Sequence, residues 1–301
     1  MTRTPNEMHT MKNQVTVGLD GTPESTAAAH WAAGEAELRH ARLDLVHAEE
    51  WLEHPPLPVT TTEAQRAWAE NLLRDTADEL RHEHPDLEVS TRRVGGLPSL
   101  ALARAAKDSD LLAIGSRGLG VVAGFIVGSV ASETIAETER PVVLVRSADG
   151  TGKPPDGGRA SGPVVAGLDI RQPCDNLLAF AFEEAAHRDT TLIVVHGWTP
   201  PPILSYSPAL NPGIQSEMAH AITTTLDEML SPWRDRFTDV HVEPRAPIGQ
   251  AAAQILHAAT DAALVVVGRR IRRSDFGGHI GPIAHALMHH SISPVAVVAH
   301  D

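Results

Sequence analysis

Cysteine is almost absent: Cys174 is the only one in 301 residues. No intramolecular disulfide can form, which fits a reducing compartment. Aromatic residues make up only 4% of the chain, so any core must be built from Ala, Val, Leu and Ile. That composition suits a Val-rich parallel sheet faced by Ala-rich helices. Basic residues are in the minority, 25 Lys and Arg against 38 Asp and Glu, for a formal net charge of −13. Such a field repels nucleic acid and anionic membrane surfaces, and a nucleotide binds only where local dipoles overcome the global sign. Long apolar runs are missing as well. The stretch from Val121 to Ala131 is about half of what a spanning helix needs, and Met1 to Gln14 is polar, with no run of signal-peptide length. The expectation is a soluble, cytoplasmic protein with neither nucleic acid nor membrane as partner. Two nucleotide motifs are also lacking. There is no Gly-x4-Gly-Lys-Ser/Thr phosphate loop, and the first turn, Gly18-Leu-Asp20-Gly21, lacks the dinucleotide pattern, so a dehydrogenase is not expected.

What is present is an internal repeat. Val15-Thr-Val-Gly-Leu-Asp20 returns as Val164-Val-Ala-Gly-Leu-Asp169, and Leu45-Val-His47-Ala48 as Val194-Val-His196-Gly197. Gly96 returns as Gly249, each opening an Ala-rich helix. Asp110-Leu-Leu-Ala-Ile-Gly115 returns as Ala263-Leu-Val-Val-Val-Gly268, and Pro141-Val-Val-Leu-Val145 as Pro294-Val-Ala-Val-Val298. Five apolar runs in one order point to duplication. Ala148 to Gly162, rich in Gly, Pro, Asp and Ser, has no periodicity and marks an exposed linker. The expected organisation is a first domain over 1–147, a linker over 148–162 and a second domain over 163–301.

Each half alternates strand and helix. Thr22 offers an N-cap hydroxyl and Pro23 a first helical residue, so a helix starts there. Ala69, Leu73, Ala77 and Leu80 recur at helical spacing. Leu87 to Val94 alternates apolar and polar residues, as a half-exposed edge strand does. Leu111 to Ile114 is continuously apolar, as a central strand covered on both faces must be. Five strands with intervening helices predict a doubly wound parallel α/β sheet, Rossmann-like, in each half.

The informative loop runs from Gly115 through Arg117 and Gly118 to Gly128 and Ser129. It follows the fourth strand and ends at a helix start. In open α/β sheets, ligands bind beyond the carboxyl ends of the strands, near the topological switch point. The free N–H groups at Gly128, Ser129 and Val130, with the positive end of the helix dipole, form a phosphate cradle. Arg117 supplies a local cation. Glycines at these places can equally make a tight connection and pack a helix.

The spacing Gly-x2-Gly-x9-Gly-Ser, with the strand-end Asp20 and the His47-Ala48 pair, resembles the ATP-binding signature of the universal stress proteins. The resemblance covers nearly the whole chain, twice over. It implies that Gly115, Gly118, Gly128, Ser129 and Val130 hold the phosphates and ribose of ATP. It places Asp20 beside the nucleotide, facing the ribose or a Mg²⁺-linked group, and pairs the Ala48 backbone with the adenine edge. It also implies a role in stress response or dormancy, through nucleotide-dependent regulation and a protein partner not identifiable from sequence. Domains of this family generally pair through their last strands. A tandem chain can make that pairing internally, Val142–Val145 against Val295–Val298, and then form a homodimer through another face.

The second copy departs from the pattern. Asp169, Gly268 and Gly281 remain, but Ile271 stands for the second glycine and Pro282 for the serine. Two donors lost at about 1 kcal/mol or more each weaken binding tenfold to a hundredfold. Arg269, Arg270, Arg272 and Arg273 offer charge in return, or form a solvated basic loop. No nucleophile–base–acid set recurs in both halves, so no enzyme is expected. A slow ATP hydrolase on the same fold and a nucleotide-free adaptor stay open as alternatives. His285 and His289 share a helix face but lack a carboxylate to complete a metal site, and His47 and His196 suit hydrogen-bonded core positions.

Overall fold

A computed structural model describes residues 13–49, 59–116, 128–154, 161–200, 212–271 and 280–300. The first half runs β1 (Gln14–Gly18), α1 (Pro23–Leu38), β2 (Arg42–Glu49), α2 (Val59–Glu83), β3 (Val89–Gly95), α3 (Pro98–Ala106), β4 (Leu111–Gly115), α4 (Ser129–Glu137) and β5 (Val142–Val145). The second runs β6 (Val164–Gly167), α5 (Asp175–His187), β7 (Leu192–Val195), α6 (Pro212–Arg236), β8 (Val242–Arg245), α7 (Ala251–Ala258), β9 (Leu264–Arg270), α8 (Pro282–His290) and β10 (Val295–His300).

Local chemistry explains where α1 starts. The Thr22 hydroxyl accepts the Ser25 N–H at 3.2 Å, and Pro23 occupies the first turn. The helix then buries Ala27, Ala28, Ala29, Ala32 and Ala33, small side chains that let it lie close on the sheet. β3 is an edge strand, as its alternation predicts, and most of its residues are exposed.

The two expected sheets are one. Ten strands run in the order β3-β2-β1-β4-β5-β10-β9-β6-β7-β8. Each half is parallel throughout, and the halves join where β5 meets β10 antiparallel, Leu144 opposite Val295 and Val142 opposite Val297. The expected internal pairing of the last strands is therefore present. It removes two apolar strand edges that would otherwise template aggregation. Both cores cross the seam. Val143, Val145, Ala296 and Val298 belong to the cluster under α1, α2, α5 and α6. Val142, Leu144, Val295 and Val297 belong to the cluster under α3, α4, α7 and α8.

Polar groups reinforce the join. Arg39 ends α1 and Arg188 ends α5. With Glu35 and Glu184 they close a ring of four charges whose side chains are nearly fully buried. Arg39 binds Glu35 within its own half at 2.6 Å and Glu184 in the other. Arg188 binds Glu184 in its own half and Glu35 in the other. The guanidinium of Arg39 also lies over the Phe180 ring, 5.6 Å from its centroid. Burial alone would raise the Glu35 carboxyl, but Arg188 and Arg39 outweigh it and hold it at about 2. A second exchange caps helices across the seam. Arg146, just past β5, donates to the Ser291 carbonyl at 2.6 Å and the Met288 carbonyl at 2.8 Å at the end of α8. Arg269 in β9 donates to the Thr138 carbonyl at 2.8 Å at the end of α4. Of the described linker residues, Gly150, Thr151, Lys153 and Ser161 are exposed, as expected, but Gly152 and Pro154 are buried, and Gly152 packs on Thr26 of α1.

Candidate functional site

With the order β3-β2-β1-β4-β5, chain direction across the sheet reverses between β1 and β4, so their carboxyl ends open the crevice where α/β sheets bind ligands. Asp20 follows β1 and is exposed. Its carboxylate accepts the Thr22 N–H at 3.0 Å and the Thr22 hydroxyl at 2.6 Å, an arrangement that fixes its orientation at the mouth of α1. Ala48 lies near the carboxyl end of β2, past the last residue of β1 that pairs with that strand, and is half-buried. His47 beside it bonds the Leu19 carbonyl through Nδ1 at 2.8 Å, and His196 bonds the Leu168 carbonyl in the same way at 3.1 Å. Both histidines are hydrogen-bonded to the backbone as the sequence suggests, His47 within β2 and His196 just past β7.

Gly115 ends β4. A Cβ there would meet the Glu24 carbonyl carbon at 2.5 Å and the Ser25 nitrogen at 2.6 Å. Its missing side chain lets the first turn of α1 pack on β4, which is the packing role that the sequence left open for it. Next to it, the Ser116 hydroxyl is buried and has no hydrogen-bond partner among the described residues. Arg117 and Gly118 lie outside the described residues.

At the far end of the loop, Gly128 caps α4 with extended backbone, and no side chain among the described residues caps the helix. Among the described residues, nothing lies within 4 Å of a Cβ built on Gly128. Ser129 and Val130 are exposed in the first turn. The amide donors of a helix start are orphaned by geometry and favour anions, so this end of α4 has the chemistry of a phosphate site.

The corresponding surface of the second half is largely tied up. Asp169 accepts two bonds from the Arg171 guanidinium, each at 3.0 Å, and the Arg171 N–H at 3.1 Å. Burial works against ionisation of Asp169, but these bonds prevail and hold its carboxyl below the ordinary carboxylate range. Gly268, like Gly115, is a packing glycine: a Cβ would meet the His300 ring at 2.6 Å. Gly281 caps α8 with no described atom within 4 Å of a Cβ built on it, but Pro282 occupies the first turn. Of the loop cations, Arg269 is buried as a helix cap for α4, and Arg270 donates to Gln172. Arg269 is thus a structural donor and not a loop charge, whereas Arg270 stays exposed. Arg272 and Arg273 lie outside the described residues. His285 and His289 stack with centroids 4.2 Å apart, and no group of three possible metal ligands occurs among the described residues.

A cleft of about 950 Å³ opens elsewhere, lined by Glu37, His40, Arg42, Asp86, Glu88 and His187 among others. It lies at the amino ends of β1 and β2, the opposite end of the sheet from the switch-point crevice. No described helix is long and apolar enough to cross a membrane.

Sequence reasoning missed Trp68. This α2 side chain is half exposed, stands over Gly21 and meets the His47 ring edge-on, 5.5 Å between centroids. The signal available was a tryptophan at a polar helix position in a chain poor in aromatics.

Comparison with known proteins agrees with this architecture. The profile of the universal stress protein family matches residues 11–146 and again 161–299. Universal stress protein Rv2623 of Mycobacterium tuberculosis is 30% identical over 293 residues, covering 94% of this chain and 95% of the relative. Universal stress protein Rv2005c of the same species is 29% identical, covering 94% and 96%. The crystal structure of a universal stress protein from Archaeoglobus fulgidus superposes with a TM-score of 0.70 at 15% identity, over 96% of this chain and 99% of that one. The chain belongs to the universal stress protein family, with two such domains in tandem.

Proposed function

We propose that the first half binds one adenine nucleotide, ATP, with or without Mg²⁺, and that the protein uses its occupancy as a regulatory signal in stress response. The observation that carries this reading is the start of α4. Among the described residues, no side chain caps this helix end and nothing lies within 4 Å of a Cβ on Gly128; Asp20 follows β1 at the same end of the sheet, and the buried Ser116 hydroxyl lacks a described partner. The amides of Ser129 and Val130 are placed for the polyphosphate. Asp20 suits the ribose hydroxyls or a phosphate-bound Mg²⁺, and the Ala48 backbone suits the adenine edge. The second half acts as a structural partner: Arg171 holds Asp169 and Pro282 replaces Ser129. The role is regulatory rather than catalytic, and the protein partner that reads it remains to be found. A homodimer would form through a face other than the β5–β10 seam, which is already used within the chain.

Mass spectrometry of nucleotide released from purified protein tests the reading. About one ATP per chain is expected. Ser129→Asp puts a carboxylate at a helix start, where the fold tolerates it but a phosphate does not, and this variant should come out empty. A wild-type protein that carries no nucleotide and binds none when ATP is added would overturn the proposal. ATP turnover above background that is lost in Ser129→Ala would favour a hydrolase instead.

A further inference from the structure

We infer that Trp68 is the aromatic wall of the first-half site and stacks on the nucleobase, giving that half its preference for a purine over a bare polyphosphate. This rests on the nucleotide reading above. Among the described tryptophans, Trp31 and Trp198 are buried at 3% and 7% exposure and Trp233 is partly buried against the core, whereas Trp68 is 50% exposed. It stands at the carboxyl end of the sheet, against the two positions that flank the crevice there, Gly21 after β1 and His47 in β2.

The contact with Gly21 is specific. A Cβ at that position would meet Trp68 Cζ2 at 2.7 Å, and Gly21 adopts a φ of +80°, so two features together keep the turn free of a side chain where the indole sits. The His47 ring, itself anchored to the Leu19 carbonyl, contacts the indole at 76°. The indole is thus held by a fixed imidazole while half of its surface stays exposed.

The duplication supplies an internal control. In the second half, the place of Gly21 is taken by Ile170, which packs on the core. By the register β3 to β8 and the spacing of α2 to α6, the place of Trp68 is taken by Ala221, which is exposed. The half whose α4 start has no capping side chain among the described residues has the exposed tryptophan and the glycine that admits it. The half whose Asp169 is tied to Arg171 has neither at the equivalent positions; the tryptophan at its own sheet end, Trp198, is buried and bonded to the Ala246 carbonyl instead of being presented to a ligand.

Truncating an aromatic side chain that stacks on a base to alanine weakens binding about tenfold or more. The test is equilibrium dialysis of the full chain with ATP and, separately, with inorganic tripolyphosphate, using wild type, Trp68→Ala and Trp68→Phe. Trp68→Ala should bind ATP about tenfold more weakly with tripolyphosphate affinity unchanged, and Trp68→Phe should stay within about threefold of wild type for both. The inference is overturned if Trp68→Ala binds ATP as tightly as wild type while wild type binds ATP normally, which leaves the nucleotide reading standing. It is also overturned if Trp68→Ala loses ATP and tripolyphosphate alike, since the indole would then only support the loop. If wild type binds neither ligand, the nucleotide reading itself fails and takes this inference with it.

Discussion

The buried ring of Glu35, Arg39, Glu184 and Arg188 makes a sharp prediction about what holds the halves together. Replacing Arg39 with Met keeps most of the volume and removes one positive charge. The ring then has two carboxylates facing one guanidinium, with side chains at 1% and 0% exposure for Glu35 and Glu184. Removing one partner of such a buried pair costs about 3–5 kcal/mol, because the remaining charge is left uncompensated. At roughly 2–4 °C per kcal/mol for chains of this order of size, the melting temperature should fall by about 6 °C at least. Restoring neutrality is the informative control. The double variant Arg39→Met with Glu184→Leu leaves one Arg and one Glu, Arg188 and Glu35, still bonded to each other, and should recover most of the loss. Calorimetry or chemical denaturation of the single and double variants measures both quantities. A single variant that costs under about 1 kcal/mol, or a double variant that costs the sum of its parts, would show that the ring does not act as a closed unit.

Three further outcomes are expected. The Glu35 carboxyl is held at about 2, below its ordinary value, so the unfolded chain takes up the proton more readily; its contribution is present above pH about 4.5 and is withdrawn as pH falls towards 2, and Glu35→Gln should flatten the acid limb of a stability–pH curve. Gly115→Ala drives a methyl into the backbone of Glu24 and Ser25 and should lower stability by about 1–3 kcal/mol, as read by urea denaturation, whether or not ATP is added. Burial, with Asp175 adding to it, pushes the Cys174 thiol up to about 11; a thiol reagent at pH 8 should therefore label native protein far more slowly than protein unfolded in guanidinium, and equal rates would contradict the packing.

Much of the fold is legible in the sequence because it is written in local chemistry. The Thr22-Pro23 start of α1, the alternation along β3 and the unbroken apolar run of β4 each specify their element without reference to distant residues. The seam is legible because the duplication leaves two equivalent apolar last strands that need covering. The charge ring is not. Glu35 with Arg39, and Glu184 with Arg188, are four-residue pairs that look the same whether a helix faces water or another helix, and only the packing of α1 beside α5 decides between these. Arg269 was hidden for the same reason: a cation in a basic stretch looks like loop charge until the end of α4 is seen beneath it. At the site, the sequence identifies the helix start at Gly128 and Ser129 but not the role of Gly115, since an obligatory glycine looks alike whether ligand or backbone crowds it. Trp68 escapes because its contact with Gly21 joins two segments far apart in the chain.

The β5–β10 seam changes how the protein can evolve and how it behaves when scarce. Two separate copies of one domain must carry identical surfaces, and they come apart on dilution. Fusing them makes their encounter a first-order event whose likelihood does not depend on how many molecules the cell holds. It also frees each half from matching the other, so that one can give up its ligand surface, as Arg171 and Pro282 suggest here, while still completing the sheet that its neighbour needs.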